Sequence, residues 1–137
     1  PEGLFQHFKA IAESTSLPIV LYNAPGRTGV NLDVSTVSRL SVVPGIVGLK
    51  EASGNVTQIA EIFASVPDTF LVISGDDALT TAVMAVGGRG VISVVSNEAP
   101  AEMAQIVELP FRPGVGAWWQ GRLYLGCLHT RQDGSGC

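Results

Sequence analysis

Short apolar runs alternate with segments of helical periodicity along most of this 137-residue chain. Such runs, bounded by glycine, proline or polar residues, are typical of strands buried on both faces of a parallel sheet. The predicted strands are 17–23, 46–50, 70–74 and 91–95. This alternation predicts an α/β fold, a parallel βα repeat that is either part of a (β/α)8 TIM barrel or a small doubly wound sheet.

Five helices are predicted around these strands, because apolar residues recur between them at intervals of three and four. They are expected at 4–12, after an N-cap at Asn31 or Asp33, after Asn55, after Asp76 or Asp77, and from Glu98. A whole barrel typically needs about 250 residues, so the chain could supply about half of one. The start at Pro1 has neither an initiator methionine nor a signal-peptide pattern, and we expect the chain to begin inside a longer protein.

Composition narrows the possible partners. A net charge of −4 argues against nucleic acid, because phosphate binding needs clustered cations. No apolar run reaches the length of a membrane span. The two cysteines, Cys127 and Cys137, form neither a disulfide framework nor a zinc-ligand spacing, so the cytoplasm is the default location.

The composition changes abruptly at Pro110, beyond which both tryptophans and both cysteines lie. Residues 1–109 are therefore predicted to form one structural unit. Residues 110–137 are predicted to be an atypical and poorly ordered tail, in which a frame change in the coding sequence has replaced the expected helices. The alternative is a genuine divergent extension.

Lys50 closes the apolar run 45–49, at the predicted end of a buried strand. Barrels and open α/β sheets place their chemistry at the C-terminal ends of strands. A buried lysine there has a lowered pKa and can act as an amine nucleophile toward a carbonyl group. The position alone favours the simpler alternative, a lysine that ends the strand and extends to water.

The segment 22–29 follows a predicted strand at the same end of the sheet. Tyr22 could relay a proton to a bound carbonyl or amine, although a core-packing aromatic is the commoner case. Arg27 has a planar guanidinium suited to a carboxylate, although most loop arginines are simply solvated.

Other polar clusters carry weaker hypotheses. Asp76 and Asp77 could bind a metal together with Glu51, but helix capping explains both aspartates adequately. The glycine-rich segment 87–90 precedes a strand instead of opening a helix, so a phosphate site there is weakly supported. His7 and His129 have no partner pattern and are read as structural or exposed.

The combination of motifs is more specific than any single one. In order and spacing, the chain resembles the dihydrodipicolinate synthase and N-acetylneuraminate lyase family of pyruvate-dependent class I aldolases. The resemblance covers roughly residues 1–107. The matching segments are LYNAPGRTG at 21–29, VGLKEASG at 47–54, SGDD at 74–77 and GRGVISV at 88–94.

The resemblance implies a (β/α)8 barrel of which this chain is the C-terminal half. It implies that Lys50 forms a Schiff base with pyruvate and that Tyr22 relays protons beside it. Arg27 would bind the carboxylate of the incoming aldehyde, and an arginine here resembles the dihydrodipicolinate synthase branch. Gly75 and Ile92 would line the pyruvate pocket with backbone groups.

The implied reaction condenses pyruvate with aspartate-4-semialdehyde to 4-hydroxy-tetrahydrodipicolinate, in diaminopimelate and lysine biosynthesis. It needs no metal or organic cofactor, and the parent enzyme is expected to be a homo-oligomer. One alternative is a sugar-acid lyase, acting on N-acetylneuraminate or a 2-keto-3-deoxy acid. Another is a half-barrel without catalytic activity. The family's first four strands are absent, together with the threonine pair and second tyrosine of its proton relay. We therefore expect little activity from the chain alone.

Overall fold

The structure, a computed structural model, describes residues 1–111. The atypical tail predicted for 110–137, with both cysteines and His129, therefore lies almost wholly outside the described residues. The helices are α1 (Glu2–Glu13), α2 (Pro25–Thr28), α3 (Val34–Leu40), α4 (Val56–Ser65), α5 (Thr80–Ala85) and α6 (Pro100–Glu108), and the strands are β1 (Ile19–Asn23), β2 (Ile46–Glu51) and β3 (Leu71–Ser74). Short 3-10 helices cover Val95–Asn97 and Leu109–Phe111. None of the helices in 1–111 combines the length and apolar character needed to cross a membrane.

The three strands form one parallel sheet in the order β1-β2-β3. Leu21, Leu49 and Val72 are register partners across it. Parallel neighbours must be joined by crossovers, and α3 and α4 provide them. The prediction of a parallel βα repeat is confirmed.

One face of the sheet packs against the helices and forms the core. Leu21, Leu49 and Val72 are almost fully buried on this face. They belong to one apolar cluster with residues of the surrounding helices, among them Val37, Leu40, Ile59 and Ile62. Since successive side chains of a strand point to opposite faces, this burial fixes which residues lie on the other side.

The other face of the sheet is largely uncovered within the described residues. Val20 on β1 is 44% exposed and Leu71 on β3 is 45% exposed. Their common register partner on β2 is Gly48, where a β-carbon would lie only 2.6 Å from the carbonyl oxygen of Leu71. Apolar side chains on an open sheet face indicate a surface that normally packs against something else.

The prediction of a fourth strand at 91–95 is wrong for the described structure. Val91 makes a single parallel bridge to Ser74, and the N–H of Ile92 donates to the carbonyl of Ser74 at 2.9 Å. The backbone N–H groups of Val94 and Val95 then donate to the carboxylate of Asp77, at 3.0 and 3.2 Å. The Asp77 side chain therefore accepts from the two N–H groups that a strand would use in its sheet, and the backbone continues as a 3-10 helix.

Two of the predicted helix caps are confirmed and one is wrong. The side chains of Asp33 and Asn55 accept from the backbone N–H groups three residues later, as N-caps do. Neither Asp76 nor Asp77 caps α5, whose N-cap is Leu79. Asp76 instead accepts from the N–H of Ala78 at 2.9 Å, an Asx turn.

The predicted loop 24–29 contains the four-residue helix α2. Pro25 stands at its first turn, where proline costs no hydrogen bond, and Gly29 ends it at a φ of 70°. The loop after β1 is thus folded into one helical turn that carries Arg27.

We expect the chain to self-associate through the open sheet face, because Val20 and Leu71 expose apolar area there. Replacing both by threonine keeps a residue with strand preference and reduces that apolar area. The double variant should have a lower average mass by light scattering at equal concentration. Leu17→Thr, an exposed residue before β1, is the control and should change nothing. An unchanged mass of the double variant would show that association uses another surface.

Candidate active site

Lys50 and Tyr22 lie side by side at the C-terminal ends of β2 and β1. They are register partners and project from the open face of the sheet, opposite to the buried Leu49. The Nζ of Lys50 is 4.3 Å from the centre of the Tyr22 ring, a cation–π distance. Lys50 is half-buried rather than buried. The structure therefore brings together the lysine and the tyrosine that the sequence singled out.

Gly75 gives the Lys50 side chain its path. A β-carbon at residue 75 would lie 3.0 Å from both Cγ and Cε of Lys50, and 2.9 Å from Cβ of Ala52. The N–H of Gly75 donates to the carbonyl of Glu51 at 2.7 Å, which fixes its backbone beside β2. The family resemblance implies a backbone role for Gly75 in the pocket, and the structure adds a steric reason for its lack of a side chain.

Arg27 lies across an open cleft of about 740 Å³ that Tyr22 and Gly75 also line. The short helix α2 holds its backbone, with the N–H of Arg27 donating to the carbonyl of Ala24 at 2.9 Å. Its side chain is exposed and makes no ion pair with a carboxylate of residues 1–111. The guanidinium is therefore available to an incoming anion.

Ile92 does not line the cleft. It follows the bridge between Ser74 and Val91, and its side chain is 48% exposed. Its role as a pocket residue stays a prediction.

Asp77 lines the cleft and anchors the segment after β3. The Ser93 hydroxyl is the main group that holds the pKa of Asp77 below its ordinary value. The amides of Val95 and Val94 and the charge of Lys50 act in the same direction, while desolvation opposes them. At pH values above the ordinary pKa of an aspartate, the ionised Asp77 carboxylate therefore stabilises the fold. This stabilisation is lost as the pH falls through the lowered pKa that Asp77 has in the folded state.

The metal hypothesis finds no support in this arrangement. Within residues 1–111, no three or more His, Cys, Asp or Glu side chains come together as a metal site. Glu51 lies on the core side of the sheet, where it accepts hydrogen bonds from Asn23 and from the N–H of Ser53. It is separated by the sheet from the cleft that Asp76 and Asp77 line.

Sequence reasoning missed the pair formed by Asn23 and Glu51. Each is only 1% exposed, and each directly follows a candidate site residue in its strand. The amide of Asn23 donates to Oε2 of Glu51 at 3.0 Å. The available signal was a polar residue in the core-facing register at the end of both strands.

The sequence pattern left two folds open, part of a (β/α)8 barrel and a small doubly wound sheet. Comparison with known families decides between them. Residues 1–112 match the family model described as the dihydrodipicolinate synthetase family. The chain belongs to this family. The match thus extends over all of the described residues.

The similar proteins are longer than this chain. It is 59% identical over 108 residues to 4-hydroxy-tetrahydrodipicolinate synthase 1 of Halalkalibacterium halodurans, covering 79% of this chain and 37% of that protein. It is 50% identical over 107 residues to the 4-hydroxy-tetrahydrodipicolinate synthase of Archaeoglobus fulgidus, covering 78% of this chain and 37% of that protein. The chain therefore spans little more than a third of the length of these curated relatives.

Solved structures give the same result for the fold. The dihydrodipicolinate synthase of Acinetobacter baumannii, solved with pyruvate, matches at 37% identity with a TM-score of 0.79, covering 98% of this chain and 46% of that one. The synthase of Methylacidiphilum fumariolicum matches at 45% identity with a TM-score of 0.80, covering 93% and 43%. The open parallel sheet is thus part of a (β/α)8 barrel, as expected. That it is the C-terminal half stays a prediction.

We expect Gly75→Ala to displace the Lys50 side chain, because the new methyl group would overlap its Cγ and Cε. Overpacking of this kind should lower the free energy of unfolding by about 1–3 kcal/mol. The reactivity of Lys50 should change relative to Lys9, the only other lysine. Acetylation of both, measured by peptide mass spectrometry, reports that ratio.

Gly26→Ala is the matched control, because a β-carbon at residue 26 would meet nothing within 4 Å. It lines the same cleft and should leave the ratio unchanged. An unchanged ratio in Gly75→Ala as well would mean that residue 75 does not set the path of the lysine.

Proposed function

We propose that this chain carries the Schiff-base lysine of a 4-hydroxy-tetrahydrodipicolinate synthase. The observation that carries the proposal is the contact of the Lys50 amine with the Tyr22 ring, beside a cleft with Arg27 on its rim. A nucleophilic amine can form a Schiff base with a keto acid, a phenol can relay protons, and a guanidinium can bind the carboxylate of an acidic aldehyde. The names of the relatives support the same reaction.

The proposed reaction begins at the amine of Lys50. The amine attacks the ketone carbon of pyruvate, and loss of water leaves an iminium ion. The iminium draws electrons from the methyl group, which loses a proton to give an enamine. The enamine carbon adds to the aldehyde of aspartate-4-semialdehyde. The amino group of that substrate then attacks the iminium carbon, which closes the ring and releases Lys50.

Tyr22 is the proposed proton relay in these steps. Its ring centre lies 4.3 Å from the lysine amine, the nitrogen where protons must leave and return, and this contact supports the role. Proton transfer by a positioned side chain typically contributes a factor of about 10² to 10⁴ in rate.

Arg27 is the proposed binding group for the carboxylate of aspartate-4-semialdehyde. Its position on the rim of the cleft, without a carboxylate partner in the described residues, supports this role. A guanidinium can hold a carboxylate through two parallel hydrogen bonds. The same feature argues for the synthase over a sugar-acid lyase.

The wider setting of the reaction is part of the proposal. The lysine itself supplies the electron sink, so the chemistry requires no metal or organic cofactor. We place the protein in the cytoplasm and expect the complete enzyme to be a homo-oligomer. Because the chain spans 37% of its curated relatives, we expect full activity only with the remaining part of the barrel.

Lys50 should be the single residue modified when pyruvate and borohydride are added, since borohydride reduces an iminium to a stable amine. Peptide mass spectrometry should find a reduced pyruvyl group on Lys50 and none on Lys9, which serves as the internal control. The Lys50→Arg variant should not be modified. Labelling of Lys9, or no labelling in the complete protein, would contradict the assignment.

Arg27→Ala should weaken the use of aspartate-4-semialdehyde in the complete protein while leaving pyruvate trapping on Lys50 intact. Loss of a charge-assisted contact costs roughly 1.5–3 kcal/mol, which corresponds to roughly a ten- to hundredfold lower kcat/KM. Arg39→Ala is the control, because Arg39 pairs with Glu2 at 2.8 Å outside the cleft. Unchanged kinetics in Arg27→Ala would favour a sugar-acid lyase, which an assay with its aldehydes would detect.

A further inference from the structure

Behind Lys50 and Tyr22, on the core side of the sheet, lies a pair of buried polar residues. Asn23 follows Tyr22 on β1, Glu51 follows Lys50 on β2, and the two are register partners. Both are 1% exposed. An apolar residue would be the ordinary choice at such core-facing positions, because buried polar groups are costly unless they are fully hydrogen-bonded.

Asn23 uses both ends of its side-chain amide. Nδ2 donates to Oε2 of Glu51 at 3.0 Å and to Oδ1 of Asn31 at 2.9 Å. Oδ1 accepts from the backbone N–H of Leu32 at 3.0 Å. One residue thus connects β1, β2 and the far end of the segment that carries Arg27.

Glu51 fixes the segment that follows the lysine. Its Oε1 accepts from the backbone N–H of Ser53 at 2.6 Å, and its backbone carbonyl accepts from Gly75 at 2.7 Å. No cation pairs with this carboxylate in the part of the chain that the structure describes. Neutral amides alone satisfy it, so its geometry is set by the directions of those hydrogen bonds.

The network extends to α4. Nδ2 of Asn31 donates to Oε1 of Gln58 at 2.7 Å, and Nε2 of Gln58 donates to the carbonyl of Leu32 at 3.3 Å. The helix after β2 and the loop after β1 are therefore held to the same group of side chains.

We propose that Asn23 and Glu51 form a positioning pair, which fixes Lys50 and Tyr22 relative to each other and to the loop of Arg27. The pair does not touch the reacting atoms. It acts through the backbone of the two strand ends. The catalytic consequence rests on the proposed function, whereas the effect on the placement of Lys50 does not.

The polarity of the pair can be reversed without changing its shape. Glu51→Gln keeps the acceptor for Ser53 but turns a donor toward the amide of Asn23. Asn23→Asp keeps the acceptor for Leu32 but turns a carboxylate toward Glu51. When both substitutions are combined, the new amide on β2 donates to the new carboxylate on β1. The amide of Asn31 then turns to donate to that carboxylate, and the amide of Gln58 turns to donate to Asn31, at the cost of its 3.3 Å hydrogen bond to the carbonyl of Leu32.

Two measurements on the full chain separate placement from chemistry. The first is the ratio of Lys50 to Lys9 acetylation, which needs no substrate. The second is the rate at which pyruvate and borohydride label Lys50. Each single variant should change the ratio and slow the labelling by about tenfold or more, since small misplacements are costly to oriented reactions. The double variant should recover most of both losses.

Ile62→Val is the control for a general loss of stability, because Ile62 is fully buried in the apolar core and its side chain has no polar atom to join the pair's hydrogen bonds. It should lower stability to urea and leave both measurements unchanged. If a single variant does not fold, the double variant carries the test, with wild-type values expected. If the double variant also fails to fold, the Asn31→Ala variant, at an exposed residue, carries the test. Slower labelling of Lys50 in this variant supports the inference, and an unchanged rate overturns it.

The inference is overturned if the single variants behave like Ile62→Val, or if the folded double variant is as impaired as the single ones. Absence of pyruvate labelling in the wild-type chain and in the complete protein would remove the proposed function. In that case a shifted acetylation ratio in the single variants, restored in the double variant, would still support the positioning pair.

Discussion

The parallel register between β1 and β2 is the constraint on which the rest of the structure depends. It pairs Leu21 with Leu49 in the core and Tyr22 with Lys50 on the open face. A slip of one residue would exchange the two faces, burying a lysine and exposing a leucine. The energy of the apolar core therefore fixes where the amine lies, on the opposite face of the sheet.

The same register places two polar residues on the core side of the sheet at the ends of β1 and β2. The last core-facing positions of β1 and β2 carry Asn23 and Glu51 instead of apolar residues. Full hydrogen bonding removes most of the cost of burying them. Apolar contacts are non-directional, whereas these hydrogen bonds define directions, which suits the place where the backbone holds the proposed Schiff-base lysine.

Two glycines leave room for neighbouring groups at the candidate site and on the open face of the sheet. Gly75 permits the path of the Lys50 side chain, and Gly48 permits the approach of Leu71 from the next strand. Val20 and Leu71 remain exposed on the open face, which the rest of a (β/α)8 barrel would cover. The described residues are thus organised around a candidate site that is open on one side of the sheet.

The sequence by itself determined the parallel βα repeat, the cap at Asn55 and the neighbourhood of Lys50 and Tyr22, and it gave Asp33 as one of two candidate caps, because periodicity and strand-end position are local properties. It failed at 91–95, where β-branched residues predicted a strand. Only the tertiary structure brings the Asp77 carboxylate to the N–H groups of Val94 and Val95, across seventeen and eighteen positions of chain. Likewise, only the folded sheet decides that Asn23 and Glu51 share hydrogen bonds, because such bonds need two distant segments at about 3 Å.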